Sequence, residues 1–410
     1  MSALRLPRQQ VNGFVLGKQH LRPETRRSDV LQVVHDIVAL HSTAPLSPYL
    51  SLWSRMEAFQ AGELDHELYK TRQLVRLTSM RSTLHVVPSV EMPLFFQATQ
   101  RQQRRSTTQI NYLLVLSGVC NEGQEEATLQ RLQERIGAVV AERGPSTVTE
   151  LTERIPDLTA KIEYAPDKPY GGTFSLGSQL VPWMCILGLL VRTRPRGTWR
   201  SNLYAYAPLA SWLPDVNLAS ITPEEAQVQL LRRYLSGFGP ATVEDMAWWS
   251  GFTKTDTRRA LSALGKELAE VTIEGLGDGY LMLAAETTHL AQAAATPERV
   301  IRLLPTLDPY IMGYKDRRRF LDEARFGQVF DRAGNAFNTV WVDGQVTGVW
   351  QEQDAAIEVL LWDKAPREAV AQEAARLGAF LTGSPVSVEV KAYPEDVYVR
   401  NPFALGQRKT

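Results

Sequence analysis

The sequence predicts an α+β chain of three tandem winged helix-turn-helix units followed by a small, barrel-like β domain. Three observations predict it. The segments "GPSTVTELTERI" and "GPATVEDMAWWS" align in phase, an internal repeat within one chain. Each follows an amphipathic helical stretch and precedes a further helix and two strand-like runs, which is the order of a winged helix-turn-helix. Beyond about Arg299 the pattern changes to apolar–polar alternation around Asp-Gly and Ala-Gly turns, which implies antiparallel hairpins.

Composition bounds the class. At 410 residues, 44% hydrophobic and 22% charged, this is an ordinary globular composition with room for several domains, and nothing in it suggests disorder. Forty-five basic residues balance 45 acidic ones, so net charge argues neither for nor against a nucleic-acid partner. Only local clusters of Lys and Arg can speak to that. Cys120 and Cys185 stand apart with no CxxC context, which excludes a zinc or iron–sulfur framework and fits a reducing cytoplasm. The opening MSALRLPRQQ lacks the apolar core of a secretory leader. The stretch "FSLGSQLVPWMCILGLLV" carries Ser, Gln and Pro at barely spanning length, and reads as a buried helix rather than a membrane span. The six histidines show no HExxH spacing, and no P-loop, GxSxG, dinucleotide or kinase signature is present, so no metal or cofactor is expected.

The first unit, residues 1–122, contains two helices between Thr25 and Met56, broken at Ala44–Pro45. Val30, Val33, Val34, Ile37 and Val38 recur at helical spacing, and Ser47–Pro48 reads as N-cap and first residue of the second helix. Between them lie His41, Ser42 and Thr43. These are either a reaction centre or the end of a helix, where an imidazole complements the dipole and hydroxyls form a turn. Further on, "STLHVV" alternates Thr83 and His85 against Leu84 and Val86, beside Arg81. That pattern suits a polar cleft wall and an exposed wing equally.

The second unit, 123–218, ends in an Arg-punctuated strand pair carrying Arg194 and Arg196. The third, 219–297, places Arg258 and Arg259 on its third helix. Basic residues on a third helix and on wings are where winged helices meet the DNA backbone. Gly237 and Gly239, in "LLRRYLSGFGPATVED", read as a loop between helices rather than a phosphate-gripping hairpin. In the β-rich domain, 298–410, "LLPTLDPYIMGYKDRRRF" gathers Asp308, Tyr310, Lys315 and Arg317 into a loop suited to phosphate contact; Asp316 could equally neutralise its neighbours.

The ordered set "VALHSTAPLSPYLSLWSR", "MRSTLHVV", "LLPTLDPYIMGYKDR" and closing "NPF" resembles the AlkZ/YcaQ family of bacterial winged-helix DNA glycosylases over nearly the whole chain. The resemblance implies three winged helices and a β-barrel in a C-shaped body with a central DNA cleft. It also implies removal of bulky N-alkylated purines and the unhooking of interstrand crosslinks. By position, the family's Gln-x-Gln or Gln-x-Asp motif falls on His41 and Thr43, so this chain reads His-Ser-Thr where the family has Gln.

The resemblance and the pattern together give His41 and Thr43 the catalytic roles. They put Ser42, Arg55, Arg81, Thr83, His85, Arg194, Arg196, Arg258, Arg259, Asp308, Tyr310, Lys315, Arg317 and Asn401 along the DNA. The expected partner is alkylated or crosslinked duplex DNA, bound by a cytoplasmic, nucleoid-associated monomer without membrane or metal. The alternative is a winged-helix DNA-binding or regulatory protein that has lost the chemistry.

Overall fold

The two in-phase segments start helices by the same device. Thr147 accepts from the Glu150 amide at 3.3 Å, while the Glu150 carboxylate accepts from the Thr147 amide at 2.6 Å. Thr242 and Asp245 make the same reciprocal pair at 3.1 and 3.0 Å. Both are capping boxes, which satisfy amide donors that a helix start leaves without partners. The residue before each box also bridges to the second strand of its own hairpin: Ser146 pairs with Tyr206, and Ala241 with Leu281.

The computed structural model describes residues 4–164, 172–293, 299–354, 356–362 and 365–394. The chain divides into two units, Met1–Gln60 with Leu231–Thr410, and Ala61–Leu230.

In the Ala61–Leu230 unit, helix Glu125–Arg143, short helix Val148–Thr152 and helix Leu176–Ile186 precede the antiparallel strands Leu190–Pro195 and Tyr204–Pro208. Strands Leu84–Pro88, Leu74–Thr78, Leu190–Pro195, Tyr204–Pro208 and Ser146–Thr147 lie side by side in that order. An additional hairpin, Lys161–Tyr164 with Gly172–Ser175, stands before the apolar helix. That helix buries Leu176, Leu180, Val181, Met184 and Cys185. No helix among the described residues is long and apolar enough to cross a membrane.

In the other unit, helices Val243–Ser250 and Lys254–Leu264 lead into the hairpin Leu268–Ile273 and Gly277–Leu283. The amino-terminal strand Leu4–Leu6 adds to it in parallel. Leu6, Val11, Val271, Ile273, Tyr280, Met282 and Leu290 close a small core there.

The β-rich segment corrects the barrel expectation. Its strands run Ile301–Leu304, Thr339–Val342, Gln345–Gln353, Ala356–Leu361 and Ser387–Ala392, and among the described residues the sheet is open. The last pair is parallel and needs a crossover, which helix Arg367–Thr382 supplies. Val370, Ala374, Leu377 and Leu381 of that helix are buried, so a helix covers apolar surface that barrel closure would otherwise have enclosed. The packing is close: a Cβ on Gly378 would meet Val386 Cγ2 at 2.0 Å.

The Asp-Gly turn forms as expected, with Asp343 and Gly344 both at positive φ, 50° and 77°. Within the stretch expected to form hairpins, Phe326–Val329 is a short helix. The closing "DVYVRNPF", with Asn401, lies outside the described residues.

Candidate active site

Helix Val30–Asp36 is capped by Asp29, which accepts from the Leu31 amide at 2.8 Å, and it stops at Ile37. Val38 then takes φ 74°, and the Ala39 amide bonds back to the Ile37 carbonyl at 2.9 Å. This is a three-residue γ-turn in its strained, positive-φ form, at a β-branched residue that rarely adopts it. The chain leaves it extended, as Leu40–His41. His41 therefore stands five residues beyond the helix, outside the last turn where a dipole acts, and the helix-end reading of this imidazole does not hold. His41 is 7% exposed and Ser42 1%, whereas Thr43 is exposed. The turn thus combines a buried imidazole with an exposed threonine.

The next helix, Ser47–Trp53, differs in detail from expectation. Leu46 holds the N-cap position, and Ser47 Oγ donates to the Thr306 carbonyl at 2.7 Å instead of capping. One turn on, Ser51 Oγ donates to Asp308 Oδ2 at 2.8 Å, and Ser54 Oγ to the Leu50 carbonyl at 3.0 Å. Arg55 completes this face, donating to both Asp308 oxygens at 2.7 Å and to the Ser51 carbonyl at 3.0 Å. Asp308 also accepts from the Tyr310 amide at 2.9 Å.

Arg55 and Asp308 side chains are 0% exposed, and burial pushes the Tyr310 hydroxyl up to about 12. These three residues fasten the helix behind the turn to the Pro305–Tyr310 segment, and their enclosure leaves them no surface to offer a phosphate. The serine spacing in "SPYLSLWSR" is the sequence signal for this face.

Asp245 carries the fastening further, since its Oδ1 accepts from the Lys315 and Asp316 amides at 2.8 and 3.0 Å. The Lys315 side chain is exposed. The Arg317 guanidinium lies 3.6 Å from the Phe330 ring centroid and donates to the Gly334 carbonyl at 2.9 Å. Asp316 pairs with Arg318 at 2.6 Å, the neutralising arrangement that is the other reading of this loop.

Asp36, the carboxylate nearest in sequence, is committed elsewhere. His20 Nε2 bonds it at 2.8 Å and Gln32 at 2.7 Å. Burial alone would raise this carboxyl, but hydrogen bonds from His20, His35 and Gln32 outweigh that and hold it below its usual range. Gly237 lies in the last turn of helix Pro223–Phe238, not in the loop expected of it, and packs against the same segment. A Cβ there would meet Val38 Cγ2 at 2.9 Å and the Asp36 carbonyl at 3.0 Å.

In the Ala61–Leu230 unit, His85 sits on strand Leu84–Pro88, 6% exposed, and its Nδ1–H donates to the Thr83 carbonyl at 3.1 Å. Burial, with Arg81 nearby, lowers it to about 4, so it stays neutral near neutral pH. Arg81 and Thr83 are partly exposed, and Thr83 Oγ1 donates to the Met80 carbonyl at 2.9 Å. Arg194 pairs with Asp65 at 3.2 Å and Arg196 with Glu150 at 3.0 Å. In the other unit, Arg258 and Arg259 are exposed on helix Lys254–Leu264, with Arg259 3.2 Å from Asp256.

The structure thus gathers Ser42, Arg55, Asp308 and Tyr310 in the unit that carries His41, and Arg81, Thr83, His85, Arg194 and Arg196 in the other. Sequence reasoning missed a cavity in the second unit lined by Tyr69, Lys70, Arg143 and Thr193 beside Arg194 and Arg196.

Capped helices leading into hairpins, with a buried imidazole between a strained turn and a fastened helix, define an α+β protein of helix–hairpin repeats. A family model described as DNA glycosylase AlkZ-like matches residues 34–380, and the chain belongs to that family. An interstrand DNA cross-link repair glycosylase of Streptomyces sahachiroi is 32% identical over 163 residues, 38% of this chain and 43% of that protein. The solved structure of the Streptomyces sahachiroi DNA glycosylase AlkZ superposes with a TM-score of 0.70 at 23% identity. It covers 94% of this chain and 100% of that one, a likeness of fold.

Proposed function

We propose that this protein is a monofunctional DNA glycosylase hydrolysing the N-glycosidic bond of bulky or cationic N-alkylated purines in duplex DNA, interstrand crosslinks among them. The observation that carries this reading is the family match, which takes in the His41–Thr43 turn. The name of the Streptomyces relative supports the crosslink substrate.

An N7-alkylguanine is cationic, so its base leaves with the glycosidic electron pair and the sugar becomes oxocarbenium-like. The protein then has to hold one water against C1′ and stabilise developing charge. His41 accepts that water's proton as the oxygen bonds to C1′, and passes it to solvent. Thr43, an exposed residue, positions the water by one hydrogen bond from its hydroxyl. Winged-helix units at 1–122, 123–218 and 219–297 hold the duplex, with exposed Arg258, Arg259 and Lys315 meeting phosphates, and the protein acts as a cytoplasmic monomer.

A second reading, DNA binding without chemistry, is favoured by His-Ser-Thr standing where the family has Gln-x-Gln or Gln-x-Asp. Release of free base from an N7-alkylguanine duplex separates the two. The purified chain should release base without cutting the strand until alkali is added, and His41→Ala should abolish release at unchanged DNA affinity and melting temperature. A wild type that binds DNA and releases nothing establishes the second reading.

A further inference from the structure

The cavity found in the Ala61–Leu230 unit has a volume of about 590 Å3, and its lining includes Tyr69, Lys70, Arg143, Thr193, Arg194 and Arg196. Four of these are cations, and no carboxylate lines the space. The acids that touch the cluster stand outside the lining: Asp65 meets Arg194, and Glu150 meets Arg196. Each of these pairs occupies only part of a guanidinium's five donors, and each arginine side chain is about half exposed, 54% and 52%. The Tyr69 ring lies 4.8 Å from the Arg194 guanidinium and stiffens it from one face.

A backbone irregularity shapes the cavity. Arg192 pairs with Tyr206 and Pro195 with Tyr204, so the first strand advances three residues while its partner advances two. One extra residue is therefore inserted at Thr193–Arg194, a β-bulge. Regular alternation would send Thr193 and Arg194 to opposite faces; here both line one cavity. Thr193 is 1% exposed, and its Oγ1 has no hydrogen-bond partner among the described residues. A buried hydroxyl in this state is costly and calls for an occupant that accepts its proton.

We propose that this bulge-built cavity grips the backbone phosphate of a DNA strand, an anchor built from residues other than those of the His41 turn. Arg194 and Arg196 hold the non-bridging oxygens as forks, Thr193 Oγ1 donates one further hydrogen bond, and Lys70 and Arg143 supply charge along the rim. The space exceeds a lone phosphate and admits the sugars on either side, which favours a strand over a free ion. The proposal rests on the DNA reading above.

Its test is the binding of a fluorescent, undamaged duplex to the full chain, followed by anisotropy over a range of salt. Arg194→Gln with Arg196→Gln should weaken binding at least tenfold. The same pair should reduce the slope of log affinity against log salt by about 1, at roughly 0.9 for the one phosphate no longer neutralised. Thr193→Val should weaken binding a few-fold with the melting temperature held or raised, and Thr193→Ser should restore it. The opposite directions of affinity and stability exclude a merely structural hydroxyl.

Wild-type binding with both the double variant and Thr193→Val within twofold of it overturns this proposal alone. A wild type without affinity for any duplex overturns it together with the DNA reading. Competition by inorganic phosphate that these substitutions abolish, at unaltered DNA affinity, also overturns it, because the site then serves a free anion.

Discussion

Arg55 and Asp308, 253 residues apart in sequence, meet through two nitrogen–oxygen hydrogen bonds of 2.7 Å with both side chains fully buried. The pair is completed by Ser51 Oγ and the Tyr310 amide, so both carboxylate oxygens are multiply bonded. Removing one partner strands a charge in the interior. Asp308→Asn should therefore destabilise the fold by about 3–5 kcal/mol, whereas Arg55→Met combined with Asp308→Leu should cost far less. Denaturant unfolding of the two variants checks this, and equal losses would show that the charges themselves are not what matters. The double variant should still release base more slowly, because the helix behind His41–Thr43 has lost its fastening.

The strained turn at Val38 carries a second prediction. Gly237→Ala introduces a Cβ 2.9 Å from Val38 Cγ2 and 3.0 Å from the Asp36 carbonyl, closer than such atoms approach. Either the helix end or the γ-turn must move, at roughly 1–3 kcal/mol. Since His41 follows three residues after Val38, base release should fall more than DNA affinity. Crystals of the variant with an unshifted Val38 and full activity would refute the coupling.

His85 makes stability depend on pH. Its folded pKa, about 4, lies below the unfolded value near 6.5, so between these limits the unfolded chain binds a proton that the folded chain refuses. Stability is full above about pH 6.5 and falls as pH drops towards 4, by up to roughly 3 kcal/mol from this group. His85→Asn keeps a donor for the Thr83 carbonyl and removes the titration. Its melting temperature should consequently vary less with pH across that window, and a slope as steep as wild type would exclude His85 as the source.

What can be read from the sequence follows from how local each feature is. The capping boxes at Thr147 and Thr242 are legible because a hydroxyl and a carboxylate three residues apart satisfy each other without help from the rest of the chain. The Asp343–Gly344 turn is legible for the same reason. Alternating strands cannot say whether a sheet closes, and here, among the described residues, Ile301–Leu304 and Ser387–Ala392 stand at its two edges without pairing to each other. At the site, His41 stands out in the sequence as a polar residue in a turn, but its burial is not visible there. Arg55 and Asp308 look like surface charges until a pairing across most of the chain encloses them. Arg194 and Arg196 are evident from pattern alone, yet the bulge that turns Thr193 toward them depends on register between strands, which no local pattern encodes.

The departure from the family motif at Thr43 separates chemistry from binding. Its side chain is exposed at the end of a turn whose other polar residues, His41 and Ser42, are buried, so a longer side chain can be accommodated there. If Thr43 orients the attacking water, Thr43→Gln should preserve or raise the rate of alkylpurine release, because an amide brings both donor and acceptor nearer the water. Thr43→Val keeps the shape and loses the hydroxyl; removal of one positioning hydrogen bond should slow release by the equivalent of about 1–3 kcal/mol. Neither change should alter duplex affinity, since Thr43 is assigned no phosphate. Single-turnover release of N7-alkylguanine, 3-alkyladenine and a crosslinked duplex reads all of this at once. Wild type, Thr43→Gln and Thr43→Val equally inert on all three substrates would leave a DNA-binding protein with a glycosylase's fold.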